Sequence, residues 1–220
     1  MKINYTQLTA CLFVLICTGL FIGLRLDAIW AGGNGIISLS GSVDVLMGQV
    51  DIQHDDDLLT LKDGEHVDTL ARGEIVRTHE GTMAGMNLGD NIDVILDENT
   101  DLEIDQLSTS AIEITLHRGR LIVESDHQQL ALNGKYSKWI LEDGIISAVN
   151  YDFLETMLVV AAPDPDSAAN AYLVWEDEKI MLTEPISVVE TPPGSWEYTD
   201  FDFDLDFYNY IPPALQGMDN

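Results

Sequence analysis

Across residues 84–88 apolar side chains take every second position, and the alternation resumes at Ile92, Val94 and Leu96 and again at Leu102 and Ile104. A period of two belongs to a strand with one face turned inward, because successive side chains on extended backbone point to opposite sides. The breaks carry turn chemistry, Gly89, Asp90 and Asn91 in the first and "DENT" at 97–100 in the second. Strand, turn, strand, turn, strand follows, with Asp101, Glu103 and Asp105 facing outward.

The same texture covers the chain from Ile37 onward. Residues 42–46 and 49–52 flank Met47 and Gly48 in a hairpin-like arrangement, His54 to Asp57 make a polar break, and Asp63 with Gly64 turns the chain inside "LLTLKDGEHV". "AYLVWEDEKIMLTEPISVVE" predicts a hairpin turning at 176–178 and then a further strand, preceded by an exposed loop, "APDPDSAAN". No stretch of this part keeps a helical period. The expected fold is all-β, a sandwich or roll of short antiparallel strands, with Val76, Met86, Leu88, Ile92, Val94, Leu96, Leu102, Ile104, Leu116 and Leu121 inward and Trp139 and Trp175 as packing aromatics.

The start of the chain is different. Residues 8–24, "LTACLFVLICTGLFIGL", carry no charge, and the uncharged stretch extends back to Ile3, enough for a tilted or slightly short membrane helix. Lys2 and the amino terminus lie on one side while Arg25 and Asp27 offset each other on the other, which favours a cytoplasmic N-terminus and an exported remainder. A signal peptide cut after Ala28 or Ala31 is the alternative, against which bulky Ile29 and Trp30 stand. The expected organisation is a cytoplasmic segment 1–7, a transmembrane anchor or signal peptide 8–26, a linker 27–36, an exported β domain 37–190 and an acidic aromatic tail 191–220. The protein is thus expected in the cell membrane as a single-pass protein, its β domain periplasmic or extracellular. Cys11 and Cys17 both lie in the apolar run, so the exported part has no internal disulfide.

Charge narrows the partners. With 38 Asp and Glu against 10 Lys and Arg, the net charge of −28 repels a phosphate backbone and excludes nucleic acid. Residues 89–105 hold seven carboxylates in seventeen positions, yet without the alternate-ligand spacing, central Gly and closing Glu of a calcium loop; they read as turn and outward-face groups. His54, His66, His79, His117 and His127 have no metal-motif spacing, and no nucleophile elbow, phosphate loop or dinucleotide fingerprint occurs, so neither an enzyme nor a cofactor is expected.

The tail, "TPPGSWEYTDFDFDLDFYNYIPP", alternates Asp200, Asp202, Asp204 and Asp206 with Phe201, Phe203, Leu205 and Phe207. It suits a last strand on the domain's own sheet, or a docking strand whose aromatics fill pockets along a partner's sheet edge. On the second reading Phe201, Phe203, Phe207 and Tyr208 are the partner-binding residues.

Taken together, "LARGEIVRT" at 70–78, "GTMAGMNLGDNIDVILDENTDLEI" at 81–104 and "IEITLHRGRLIV" at 112–123 resemble the FecR family. The rhythm is carried by Leu70, Gly73, Glu74, Val76 and Thr78, then Ala84, Gly89 and Asp90, then Asn99, Thr100, Leu102 and Ile104, and a closing Leu-x-x-Gly-x-Leu hairpin of Leu116, Gly119 and Leu121. In the family's best-known members a cytoplasmic segment controls an extracytoplasmic-function sigma factor and the exported domain receives a signal from an outer-membrane transducer. Seven cytoplasmic residues are too few for the first task. The resemblance therefore implies a stand-alone exported FecR-like domain that binds an envelope or membrane protein in regulation or signalling. The competing expectation is a passive envelope or cell-surface scaffold that self-associates or binds envelope polymer, with or without bound calcium.

Overall fold

A computed structural model describes residues 37–151, 156–164, 171–175, 178–191 and 195–199. The apolar segment 8–26 and the aromatic positions 201–208 lie outside the described residues.

Short runs rich in Val, Ile and Leu, punctuated by Gly, Asp and Asn, make strands because branched side chains suit a pleated, half-buried surface. In chain order they are β1 Gly41–Met47, β2 Gln49–His54, β3 Asp57–Lys62, β4 His66–Leu70, β5 Ile75–Thr78 and β6 Met83–Leu88. There follow β7 Ile92–Leu96, β8 Asp101–Ser108, β9 Ala111–Ser125, β10 Leu130–Asn133, β11 Ser137–Leu141 and β12 Gly144–Tyr151. The last are β13 Thr156–Pro163, β14 Ala171–Trp175, β15 Glu178–Met181, β16 Ile186–Thr191 and β17 Ser195–Thr199. No helix occurs among the described residues, so this part of the chain is all-β.

The pairings form two sheets. One runs β3–β2–β5–β8–β9–β10–β11–β14–β15. The other runs β4–β1–β6–β7–β9–β12–β13–β16–β17. All are antiparallel except β9 with β10. Strand β9 belongs to both: its first half pairs with β8 and its second with β7 and β12. Apolar side chains of both sheets enclose one core, and all ten residues expected to face inward lie there at 2% exposure or less.

Two corners carry the chain from sheet to sheet by one device. Gly48, at φ 88°, sits so close to Thr82 that a Cβ would overlap its hydroxyl oxygen. Thr82 Oγ1 accepts the Gln49 N–H at 3.0 Å and donates to the Gln49 carbonyl at 3.2 Å. Gly119, also at φ 88°, meets Thr100 in the same way, with a Cβ again falling on the hydroxyl. Thr100 Oγ1 accepts the Arg120 N–H and donates to the Arg120 carbonyl, both at 3.0 Å. Only glycine combines a positive φ with so near an approach of another side chain.

These corners correct two expectations. Met47 and Gly48 do not close a hairpin: β1 pairs with β4 and β6, and β2 with β3 and β5. Likewise 116–121 is no hairpin but the bend inside β9. In each case the inward set changes parity across the glycine, from Val43 and Val45 to Val50 and Ile52, and from Ile114 and Leu116 to Leu121 and Val123. A hairpin would have turned the chain back within one sheet; the bond from glycine's successor to a distant threonine sends it into the other. The turn at 89–91 does join a hairpin, β6 with β7, and β14 pairs with β15, the two strands of the other expected hairpin.

Candidate docking groove at the open end of the sheets

Strands β3 and β4 follow one another through Asp63 and Gly64, yet they are the end strands of different sheets, each with one edge unpaired among the described residues. The corner is held by Gly64 N–H on the Val45 carbonyl at 2.9 Å and Val45 N–H on the Glu65 carbonyl at 3.0 Å. Beyond it the two strands leave a groove of about 300 Å³. Its apolar walls are Ile52, Leu59, Val67 and Leu70, and His54, Asp57 and Glu74 line its polar side.

Leu59 shows how this end is left open. It shares a strand face with Leu61, which is buried, yet Leu59 is 47% exposed, because no strand among the described residues continues the sheet beyond β3. Leu58, on the other face, is 60% exposed. Two adjacent exposed leucines on an unpaired edge are the arrangement that soluble proteins otherwise avoid or cover.

The carboxylate-rich stretch 89–105 does not converge on a point. Asp90 and Asp93 are exposed, while Asp101 bridges Arg77 Nε at 2.9 Å and Arg118 Nε at 3.1 Å, and Glu103 meets His117 Nε2 at 2.7 Å. Asp97 pairs with Arg120, and Asp105 accepts the Thr115 hydroxyl at 2.6 Å. They are turn and outward-face groups, as the alternation implies, laced across strands to the nearest cations.

Two acidic side chains that sequence reasoning passed over are buried. Glu190 of β16 is 0% exposed and accepts the Tyr136 N–H at 3.0 Å, the Trp139 indole N–H at 3.2 Å and the Ser137 hydroxyl. Asp143, 6% exposed, meets His127 Nδ1 at 2.7 Å and its backbone N–H. That hydrogen bond, with the charges of Asp143 and Asp126, raises the His127 pKa above the ordinary histidine value. Asp126, His127 and Asp143 bring their ligating atoms within 4.8 Å of one another, but the Asp143 oxygens are engaged by the His127 backbone and ring. The trio ties the β9–β10 connection to the β11–β12 turn. In a chain with so many carboxylates, no local pattern marks which are buried. Trp139 is fully buried, and Trp175 lies 6.4 Å from the Tyr136 ring.

The partner-binding candidates Phe201, Phe203, Phe207 and Tyr208 lie outside the described residues; the tail's earlier part, 195–199, pairs along β16.

Comparison with protein-family models and with curated proteins returns no match. Among solved structures the chain is similar to two crystal structures of a candidate anti-sigma factor from Parabacteroides distasonis ATCC 8503, at 1.65 and 2.50 Å resolution. Identity is 10% and 11%, the TM-score is 0.48 for both, and the match covers 58% of this chain. The chain spans 60% of the length of those structures.

Proposed function

We propose that this protein is a membrane-anchored, exported FecR-like domain that binds an envelope or membrane protein and serves regulation or signal transduction, without catalysis. The family reading is supported by where its pattern residues fall. Thr78, Asn99, Thr100 and Gly119, scattered through the sequence, meet at one corner: Thr78 Oγ1 accepts the Thr100 N–H at 2.9 Å, and Gly119 packs on Thr100 and the Asn99 carbonyl.

The observation that carries the binding role is the groove between β3 and β4, with Leu58 and Leu59 on an unpaired edge. Added strands gain affinity from backbone hydrogen bonds and specificity from side-chain pockets, and this edge offers both.

Photo-crosslinking in intact cells from position 58, with position 203 tested in parallel for the aromatic tail, examines the proposal. A discrete adduct with one other protein supports it. Self-adducts alone would favour the passive scaffold, and no adduct from either position would overturn the binding role.

A further inference from the structure

Resting on the docking reading above, we infer that the β3–β4 groove takes an extended segment of a cationic partner, in which apolar residues alternate with Lys or Arg. The unpaired edge of β3 supplies N–H and C=O groups for strand addition. A segment added there directs every second side chain toward Leu59, Ile52, Val67 and Leu70, and only apolar side chains cover those walls without stranding a polar group.

The remaining side chains meet acid. Between His54 and Glu74 the chain holds seven carboxylates against Lys62 and Arg72. Six of the seven, Asp55, Asp56, Asp57, Asp63, Glu65 and Asp68, are exposed. Three are hydrogen-bonded within the rim: Asp68 pairs with His66, Asp63 accepts the Gly48 N–H, and Glu65 accepts the Lys62 N–H at 2.7 Å, while Glu74 accepts the Ala71 N–H at 2.8 Å. Asp56 and Asp57, at the start of β3, have no ion-pair partner among the described residues.

The same charges argue against the other occupants. The protein's own tail would bring Asp200, Asp202, Asp204 and Asp206 to this rim, and a second copy would bring its own seven carboxylates. A basic segment alone turns the rim into an attraction, which also speeds encounter.

The test uses the full chain in detergent micelles and three fluorescent eight-residue peptides. One alternates Val with Lys, one alternates Val with Glu, and one has the composition of the first with its valines and lysines in two blocks. The expected result is binding of the alternating Val–Lys peptide at least about tenfold tighter than either other, weakening roughly tenfold between about 50 and 500 mM salt. Asp56→Asn with Asp57→Asn should weaken it without disturbing the apolar walls, and Leu59→Asn should weaken it without changing charge; circular dichroism checks that each variant folds. Equal binding of the Val–Glu peptide, or of the blocked one, would overturn the inference. If no peptide binds while position 58 still crosslinks to a protein, the cationic class is wrong and docking stands; if position 58 also gives nothing, both fall.

Discussion

Glu190 of β16 accepts the indole N–H of Trp139 of β11 at 3.2 Å, a hydrogen bond from one sheet to the other between two side chains that are both 0% exposed. The same carboxylate takes the Tyr136 N–H and the Ser137 hydroxyl. Gly134 makes room for it, since a Cβ there would lie 2.7 Å from Glu190 Oε1. Glu190→Ala would strand three donors in the interior and should cost about 3–5 kcal/mol, whereas Glu190→Gln, which keeps an acceptor, should cost about 1–3 kcal/mol. Denaturant unfolding followed by tryptophan fluorescence measures both; equal, small losses would show that the bonds do not join the sheets.

The corner glycines should be far less replaceable than a turn glycine of similar conformation. Gly48 and Gly119 have positive φ and a threonine hydroxyl in the place of a Cβ, while Gly73, at φ 85°, has open space there. Gly73→Ala should therefore cost only the backbone strain, about 1–2 kcal/mol. Gly119→Ala and Gly48→Ala must also displace Thr100 or Thr82 and should cost at least about 3 kcal/mol. Thermal unfolding of the three variants checks the order, and a Gly73 variant as damaged as the others would refute the corner mechanism.

His127 makes stability depend on pH in a predictable direction. Its pKa is raised, first by the hydrogen bond to Asp143, then by the charges of Asp143 and Asp126, with Asp164 adding to them. A raised histidine pKa means that the contribution is fully present below the unfolded value of about 6.5 and is lost as pH rises through the higher folded value. Following the ring proton by NMR should give a midpoint above that of His127 in the unfolded chain. His127→Gln should flatten the pH dependence of unfolding near neutrality; an unchanged slope would contradict the assignment.

The Arg77–Asp101–Arg118 bridge crosses β5, β8 and β9, with Asp101 at 15% exposure between arginines at 33% and 48%. The arginine ends reach water and asparagine keeps one acceptor oxygen, so Asp101→Asn should cost no more than about 2 kcal/mol. A larger loss in a melting experiment would mean that this outward ladder of charge does more than keep the protein in solution.

What the sequence made legible was the inward face of each strand. Val94 and Leu96 against Asp93, or Leu102 and Ile104 against Glu103, need only the period of two, and the core follows from it. Which strands pair was not legible at the corners. Val45-x-x-Gly48-x-Val50 and Leu116-x-x-Gly119-x-Leu121 have one spacing, which is a signal that could have linked them. The threonine that decides between hairpin and corner lies far from the glycine along the chain in each case, however, at Thr82 and Thr100. The groove was hidden for a related reason. Leu58 and Leu59 read as ordinary strand apolars, and their exposure comes from the sheet order, which among the described residues leaves β3 without a neighbour on one side.

Amide hydrogen exchange of the full chain, free and bound to the protein captured at position 58, tests most directly whether partners dock at the open end. The amides of β3 and β4 should exchange readily in the free protein and become protected on binding, with little change at Trp139 or Leu173 in the core. Protection confined to other surfaces, with 57–62 and 66–70 unaltered, would contradict docking at this groove.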